Sequence, residues 1–383
     1  MSSNPGFVFS DDFLIYHFNE EHPFNQKRVL LAKELLEASA MLYAQDIIPP
    51  RMATEEEIGL FHDRAYINAV KQADSLSEDE AYEYGLGTED TPIFPNMHEA
   101  SSFAVGGTLT AVDEVLTGRR DHALNLGGGL HHALQRKAAG FCIYNDCAIA
   151  IKYIREKYNL KVLYVDTDAH HGDGVQWAFY DDPNVCTFSI HETGRYLFPG
   201  SGNVSERGIK QGHGYSFNLP IDAFTQDESY LHSYETAFRE IAKFFNPDII
   251  ITQNGADAHC FDPLTHLCGT MEIFNRIPQL AHELAHQYCN GKWIATGGGG
   301  YDMWRVVPRS WAQIWNVMKQ DSPAKGIIPA EWRAKWQREA PIDLPKFWHD
   351  TDEAFPEIPR KKDITEKNNS LLENLLKYAK TIK

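Results

Sequence analysis

The stretch YVDTDAHHGDGV, residues 164–175, decides the fold and shows where the function lies. It completes an apolar run that begins at Lys161 and is typical of a buried strand. Three aspartates and two adjacent histidines follow within a few residues. Ionisable groups are costly to bury unless they are paired or bind a metal. Their concentration at the end of a core strand therefore predicts a functional site.

Composition limits the classes of protein that the chain can belong to. Its 383 residues are 43% hydrophobic and 12% aromatic, enough for a large core, and we expect one large domain. The formal net charge of -17 argues against nucleic acid as a partner, because such proteins normally carry a basic surface. A basic substrate is favoured by the same charge.

No targeting or membrane signal is visible in the sequence. No window has the eighteen or more uninterrupted apolar residues of a membrane span, and the first residues lack the basic start and apolar run of a secretion signal. The six cysteines contain no CxxC pair, which suits a reducing compartment. These features predict a cytoplasmic protein without a membrane partner; the sequence leaves the oligomeric state open.

Apolar, β-rich runs alternate with helical segments along the chain. Strands are predicted at 122–126, 161–168, 185–190, 215–221, 247–253 and 292–298, and helices at 146–159, 227–245 and 271–290. This alternation predicts an α/β fold: a single domain with a central parallel sheet flanked by helices and a site at the C-terminal ends of the strands. We expect this domain over residues 1–318. The extension 319–383 is rich in charge, Pro and Trp, and its amphipathic end is predicted to dock as a helix.

Two aspartates and a histidine are candidate metal ligands. Asp168 and His170 are two residues apart, so in an extended chain they project to the same side. Asp257 follows a different predicted strand and is the natural third ligand, which leaves a fourth position for water and substrate as in catalytic zinc sites. The alternative is that these residues are caps and solvated loop carboxylates.

The adjacent histidines His131 and His132 are candidates for acid-base chemistry. Asp166 and Asp173 are not needed as metal ligands, and a carboxylate that accepts from a ring N–H fixes the tautomer of an imidazole and raises its basicity. The Gly-rich turns GGGLHHA and TGGGGYD allow the backbone to approach a ligand closely, although neither has the spacing of a phosphate-binding loop.

Six motifs, in this order, resemble the zinc-dependent histone deacetylase family: GGGLHHA, GFCIYND, YVDTDAHHGDGV, FPGSG, NGADAHCFDPL and GGGGYD. The resemblance spans roughly residues 6–318. Within the family, GLGTEDTPIFPNMHEAS and the extended C-terminal portion are most similar to the bacterial acetoin utilization deacetylases.

The resemblance implies a role for each matching residue. Zinc, with Fe2+ as an alternative, is held by Asp168, His170 and Asp257. His132, oriented by Asp173, is the general base, and His131, paired with Asp166, is its electrostatic neighbour. Tyr301 donates its hydroxyl to the developing oxyanion.

Further positions follow from the same resemblance. Substrate binding is assigned to Asp90, Gly140, Phe141, Phe198 and Leu264, although Glu89 leaves the register of Asp90 open and core packing is the alternative for the two phenylalanines. K+ is expected next to the zinc, at Asp166, Asp168, His170, Ser189 and His191, partly through backbone oxygens. Arg28 matches an arginine at an acetate-release cavity, with a solvated helix residue as the alternative.

The family implies metal-dependent hydrolysis of N-ε-acetyl-lysine in acetylated proteins or peptides, with release of acetate and a possible link to acetoin or acetate metabolism. Two alternatives stay open: deacetylation of acetylated polyamines, and a non-catalytic reader of acetyl-lysine. Asp90 favours protein substrates, and the intact set of His132, Tyr301 and metal ligands argues against a reader.

Overall fold

A parallel sheet forms the centre of the computed structural model, which describes residues 4–351, 355 and 357–381. Its strands are β1 Gly6–Val8, β2 Ile47–Ile48, β3 His122–Asn125, β4 Val162–Asp166, β5 Val185–Glu192, β6 Ser216–Ile221, β7 Ile249–Gln253 and β8 Trp293–Thr296. Within the described residues they pair side by side in the order β2-β1-β3-β8-β7-β4-β5-β6, and every pairing is parallel. The predicted fold class is confirmed.

Helices flank this sheet. They are α1 Lys27–Ala38, α2 Glu55–Ile58, α3 Arg64–Lys71, α4 Glu78–Glu83, α5 Met97–Leu116, α6 Asp146–Tyr158, α7 Asp173–Ala178, α8 Asp227–Phe245, α9 Met271–Tyr288, α10 Val307–Gln320, α11 Ala330–Trp336 and α12 Lys361–Thr381. Short 3-10 helices cover Asp11–Ile15, Ala44–Asp46, Ala73–Ser75 and Lys210–Gly212. No helix in the described ranges is both long and apolar enough to cross a membrane.

Burial explains why the strands could be predicted from their composition. All five residues of β4 and all eight of β5 are buried, as expected for a parallel sheet covered on both faces. Strands buried on both sides read as nearly continuous apolar runs without alternation, although β5 also buries Ser189, His191 and Glu192. The six predicted strands are therefore all present, with ends that differ by one or two residues.

Two strands were not predicted from the sequence, and the end of one predicted strand matters for the site. β1 and β2 have only three and two residues, too few for a periodic signal, and they add an edge through the pairing of Phe7 with Ile47. The strand predicted at 161–168 ends at Asp166. The premise that Asp168 and His170 lie in extended chain was therefore wrong.

Turns close the loop after β4 and replace the extended conformation. The backbone N–H of Asp168 donates to Oδ1 of Asp166 at 3.2 Å, and the N–H of His170 donates to Oδ1 of Asp168 at 3.0 Å. Side chains of Asp commonly hold such turns by accepting from the backbone two residues further on. The chain thus folds back over the end of the sheet at the point where the ionisable residues are concentrated.

The C-terminal residues pack onto the same molecule. Residue 318 lies inside α10, and Trp332 of α11 donates from its indole N–H to the carbonyl of Leu31 at 3.1 Å. The helix predicted in the last stretch begins earlier, at Lys361, and α12 packs on α8 and β6. Residues 382–383 lie outside the described part. The division at residue 318 stays a prediction.

A substitution of Asn368 in α12 tests how this helix docks on α8 and β6. Its side chain is fully buried, accepts from the N–H of Asp222 at 3.0 Å, and donates to the hydroxyls of Thr225 and Ser229 at 2.9 Å each. Asn368→Ala leaves these groups unpaired, so we expect the free energy of unfolding in urea to fall by about 1–3 kcal/mol. Asn369→Ala is the control, because its Oδ1 has no partner among the described residues. Equal, small losses in both variants would contradict the docking.

Candidate active site

Four neighbouring strands end at one edge of the sheet and bring the predicted site together. In the order β3, β8, β7, β4, these strands are followed by the His131-His132 turn, by Tyr301, by Asp257 and by Asp168 with His170. Because all four strands are parallel, their carboxyl ends lie on the same side. Residues that are far apart in sequence therefore meet at one rim.

Asp168, His170 and Asp257 form a compact, buried cluster. Their ligand atoms all lie within 4.8 Å of one another. Nδ1 of His170 is 2.9 Å from Oδ2 of Asp257 and 3.1 Å from Oδ1 of Asp168. The exposed fractions are 1%, 8% and 0% in sequence order, so only the histidine has a solvent-facing side. This is the arrangement of a metal site with three protein ligands.

The charges in this cluster fit a bound cation. Burial, followed by the neighbouring Asp168 carboxylate, raises the pKa of Asp257 to about 7. Within the described ranges, the ion-pair partners of these two carboxylates are histidines and include no Lys or Arg. Two buried carboxylates and an imidazole are ligands that suit a transition-metal dication, and the ion would relieve the repulsion between the carboxylates.

Two further residues hold the Asp168 carboxylate and escaped the sequence analysis as site residues. Its Oδ2 accepts from Nε2 of Gln253 at 2.8 Å and from the N–H of Gly299 at 2.7 Å. A Cβ on Gly299 would lie 2.1 Å from Oδ2 of Asp257, so this position needs glycine. The GGGGYD motif signalled Gly299, but no local pattern distinguishes Gln253 from another polar residue at the end of a strand.

The two adjacent histidines each contact a carboxylate. Nδ1 of His131 lies 2.7 Å from Oδ2 of Asp166, and Nδ1 of His132 lies 2.8 Å from Oδ1 of Asp173. The two Nε2 atoms are 3.0 Å apart. The phenol of Tyr164, which the sequence analysis missed, donates to Oδ2 of Asp166 at 2.6 Å. Each imidazole is thus oriented by an acidic partner, as the sequence predicted.

The histidines differ in their affinity for a proton. Burial lowers the pKa of His131, but the charges of Asp166 and Asp168 outweigh it and raise the value to about 9. Burial and the neighbouring His131 lower the pKa of His132 to about 4. At neutral pH the pair therefore carries its proton on His131 and leaves His132 neutral, the form in which an imidazole can act as a base.

Residues at the start of α6 hold the histidine turn in place. Nδ2 of Asn145 donates to the carbonyls of His131 and Ala133 at 3.1 and 3.0 Å. The Asp146 carboxylate accepts from the N–H of Leu130 at 2.7 Å. Both residues end the GFCIYND motif, which was the available signal, but the sequence analysis gave them no role.

Aromatic rings line the approach to the cluster. The ring of Phe198 lies 5.0 Å from that of His132, and the ring of Phe141 lies 5.7 Å from that of Tyr301. The Tyr301 and His170 rings are 6.4 Å apart. Phe198 is 44% exposed, which does not suit an ordinary core residue. These contacts give the cluster an apolar entrance.

Phe141 is held in an uncommon conformation. Its φ is 68°, in the left-handed region that residues other than Gly rarely adopt. The phenol of the buried Tyr16 donates to the Phe141 carbonyl at 2.7 Å and accepts from the N–H of Ile143 at 3.1 Å. This anchor fixes the backbone on either side of Cys142 and so directs Phe141 toward the entrance.

The outer substrate positions lie around the same entrance. Glu89 and Asp90 are both exposed, and the backbone of Asp90 lies beside His22, whose ring is 4.7 Å from that of Phe141. Leu264, the remaining predicted substrate position, is held by the same aspartate as Tyr301. The N–H of the half-buried Leu264 donates to Oδ1 of Asp262 at 3.0 Å. Oδ2 of the same carboxylate accepts from the N–H of Tyr301 at 2.8 Å.

Arg28 lies behind the cluster. It is 1% exposed, and its Nη1 donates to the carbonyl of Gly300, next to Tyr301, at 2.7 Å. Its guanidinium stacks over Phe24 at 4.5 Å and over Trp311 at 5.0 Å. The alternative of a solvated helix residue is therefore wrong.

Three of the residues assigned to K+, Asp166, Ser189 and His191, lie on adjacent strands, and Asp168 and His170 lie in the loop after β4. Asp166 of β4 is opposite Ser189 of β5 in the sheet. Oγ of Ser189 lies 2.7 Å from Nδ1 of His191, whose Nε2 lies 3.0 Å from the carbonyl of Gly202. Because these side chains bond to protein groups, a K+ ion here would depend on backbone oxygens, and the site stays a prediction.

The fold and the site define a class: a parallel α/β protein with a cluster of two carboxylates and a histidine that could hold a metal ion at the ends of its strands. Comparison with known proteins refines this class. The histone deacetylase domain model matches residues 22–318. The acetoin utilization protein AcuC of Bacillus subtilis (strain 168) is 58% identical over 375 residues, which cover 97% of this chain and 96% of that protein.

Other comparisons agree. The protein of the same name from Staphylococcus xylosus is 44% identical over 380 residues, 99% of each chain. The crystal structure of an HDAC homolog from Aquifex aeolicus superposes with a TM-score of 0.83 at 28% identity and covers 95% of this chain and 99% of that one. The chain belongs to the histone deacetylase family and is AcuC-like, which confirms the resemblance seen in the sequence. Membership in this family supports an enzyme that hydrolyses acetyl amides, and the fold of the family implies a catalytic metal.

Gly140 provides a geometric test of the site. A Cβ at this position would lie 2.5 Å from Cδ2 of His132, and φ is 51°. Because a misplacement of about 1 Å in a catalytic group can lower the rate about a hundredfold, we expect Gly140→Ala to lose deacetylation on that scale. Gly118→Ala is the matched control: its φ is 75°, but nothing lies within 4 Å of the added Cβ. If both variants keep wild-type turnover, His132 is not where the reaction occurs.

Proposed function

We propose that this protein hydrolyses the acetyl amide of N-ε-acetyl-lysine in proteins, with zinc as its metal, and releases acetate. The observation that carries the proposal is the convergence of Asp168, His170 and Asp257 with the His131-His132 pair below an aromatic entrance. Amide hydrolysis requires a Lewis-acidic metal ion and, beside it, a neutral imidazole that a carboxylate orients.

Asp168, His170 and Asp257 would hold the metal ion. Their two oxygen donors and one nitrogen donor fit zinc, and Fe2+ is the second candidate because the same ligands suit both ions. When bound, the ion supplies a Lewis acid that polarises the amide carbonyl and lowers the pKa of water. Gln253 and the N–H of Gly299 fix the Asp168 carboxylate through Oδ2, while its Oδ1 lies on the side of His170.

His132 would act as the general base and acid. Its neutral state at neutral pH, which follows from burial and from the neighbouring protonated His131, allows it to take a proton from the attacking water. It would return this proton to the departing amine of lysine. Asp173 accepts from the other ring nitrogen and keeps the imidazole in the orientation and tautomer that both transfers need.

Tyr301 would stabilise the oxygen on which negative charge develops. Burial, together with the charges of Asp257 and Asp168, raises the pKa of its phenol far above its usual value, so the hydroxyl keeps its proton and can donate. The Asp262 carboxylate holds the Tyr301 backbone through its N–H, and Arg28 holds the neighbouring Gly300 carbonyl. This support is what an oxyanion donor needs in order to act without reorganisation.

The entrance supports an acetylated lysine as the substrate. Phe141 and Phe198 would contact the aliphatic stem of the side chain, with Gly140 and Leu264 completing the wall. The net charge of -17 and the exposed Asp90 at the rim favour a basic peptide. The name of the AcuC relatives, acetoin utilization protein, supports a link to acetoin metabolism.

Two alternatives are tested together with the proposal. An acetylated polyamine would use the same metal and histidines but would gain nothing from a clamp at Asp90. A reader of acetyl-lysine would bind without reaction. The intact histidine pair, each member with its own carboxylate partner, argues against a reader, because recognition alone does not require it.

Tyr301→Phe tests the proposed function. The change removes one hydroxyl and keeps the ring, so we expect turnover of an acetyl-lysine peptide to fall about a hundredfold to a thousandfold with little change in peptide affinity. Acetate release and peptide binding are measured on the zinc-loaded chain, with Tyr43→Phe as a control at an exposed site. Binding without acetate release by the wild type would establish a reader, and faster release from acetylated polyamines would establish the second alternative.

A further inference from the structure

A second group of histidines lies at the opposite edge of the sheet. His122 is the first residue of β3, and His282 and His286 lie one turn apart near the end of α9. Nε2 of His282 is 3.1 Å from Nε2 of His122 and 3.0 Å from Nε2 of His286. Because β3 runs toward the candidate active site, its first residue lies at the far end of the strand. The cluster is therefore separate from Asp168, His170 and Asp257.

The surroundings of the Nδ1 atoms show that the Nε2 atoms are the ones available to bind a ligand. Nδ1 of His282 lies 2.9 Å from Oδ1 of Asp321, at the end of α10. A metal-binding histidine typically donates its other ring N–H to a carboxylate, which leaves the facing nitrogen free to bind. His122 is fully buried, and its Nδ1 has no hydrogen-bond partner in the described part of the chain. The backbone of Gly291 also interacts with this ring, and its Nε2 faces His282.

The spacing of the nitrogens suits a metal ion. Zinc sites are tetrahedral with Zn–N distances of about 2.0–2.1 Å, so two nitrogens bound to one ion are about 3.3–3.4 Å apart. Two of the separations between Nε2 atoms, 3.0 and 3.1 Å, are slightly shorter than this value, and the ligand atoms of the three histidines all lie within 4.8 Å of one another. Gly291, with φ of 82°, leaves room for the rings, since a Cβ there would approach Cε1 of His286 to 3.1 Å. His286 is exposed and provides a path for entry.

The sequence of α9 also contains a pattern known from zinc sites. His282 and His286 belong to the segment HELAH, and histidines four residues apart on one helical face form the zinc-binding pattern HExxH. In metalloproteases the glutamate of this pattern is the general base. Here Oε1 of Glu283 is 2.6 Å from Nη1 of Arg276, and its Oε2 is 2.7 Å from Nη2 of Arg239. The glutamate is engaged away from the histidines, so the pattern indicates binding and not hydrolysis.

We propose that His122, His282 and His286 bind a divalent transition-metal ion, with Asp321 orienting His282. Three imidazoles select ions such as Zn2+, Cu2+ or Ni2+ over Mg2+ and Ca2+, which prefer oxygen ligands. The ion ties the end of α9 to the start of β3, and its role is structural. The competing arrangement is three imidazoles that only share hydrogen bonds.

Zinc stoichiometry tests this site without relying on catalysis. The full chain is stripped with a chelator, equilibrated with buffered Zn2+, and analysed by mass spectrometry for bound metal. We expect two ions in the wild type, one in His286→Gln, one in Asp257→Asn and none in the double variant. His232→Gln, at an exposed helical position on α8, is the control and keeps two. Circular dichroism verifies that each variant is folded.

Two further measurements identify the ligands. Asp321→Asn is expected to weaken zinc binding at the second site about tenfold to a hundredfold, as loss of a partner behind a ligand does. In the Asp257→Asn background, Cu2+ is expected to give an electron paramagnetic resonance spectrum with splitting from several nitrogens, which His286→Gln reduces. Acetate release by His286→Gln stays at the wild-type level.

The outcomes separate this proposal from the proposed function. Equal zinc content in His286→Gln and the wild type would overturn the histidine site, whatever Asp257→Asn does. If His286→Gln loses one ion and Asp257→Asn loses none, the histidine site is supported. The same result would contradict the assignment of Asp257 as a ligand of the catalytic metal.

Discussion

The candidate active site depends on two carboxylates buried side by side. Asp168 and Asp257 repel each other in an interior where their ion-pair partners among the described residues are histidines. A protein tolerates such a pair when a cation or a proton compensates it. The Gly299 backbone and the Gln253 amide hold the Asp168 carboxylate, and the N–H of Ala169 donates to Oδ1 of Asp257 at 2.8 Å. The architecture at this edge of the sheet is consistent with keeping negative charge concentrated at one point.

The negative charge near these carboxylates also explains why the pKa values of His131 and His132 differ. His131 lies nearer the carboxylates and gains a proton, whereas His132, which faces Phe198 and a protonated neighbour, loses affinity for one. A difference of this kind between paired groups assigns the acid and base roles in many active sites. The aromatic entrance then restricts what reaches the neutral imidazole.

The sequence was sufficient for the centre of the fold and for the candidate residues that the structure brings together at one rim. Strands such as β4 are buried on both faces and are apolar up to their last residue, here Asp166, so their composition identifies them, and the polar residues at their ends mark the rim. It was insufficient where the signal is short or non-local. β2 has two residues, and Arg28 resembles a solvated helix residue until its contact with Gly300 is seen.

The same limit applies to residues that act through distant partners. Gln253 carries no local pattern, and the motifs that contain Tyr164 and Asn145 do not reveal what these side chains contact. The pairing of His122 with α9 joins residues that are 160 positions apart. Such contacts follow from the topology of the sheet, and single-sequence periodicity does not contain that information.

The most direct test of the central claim is the zinc content and acetate release of Asp257→Asn, measured in parallel with the surface variant Asp181→Asn. Asp257→Asn keeps the shape of the side chain and removes one ligand charge, so the account predicts one zinc ion fewer per chain and a loss of acetate release of at least about a hundredfold. Asp181→Asn should match the wild type in both. Full zinc content together with undiminished acetate release in Asp257→Asn would contradict the account.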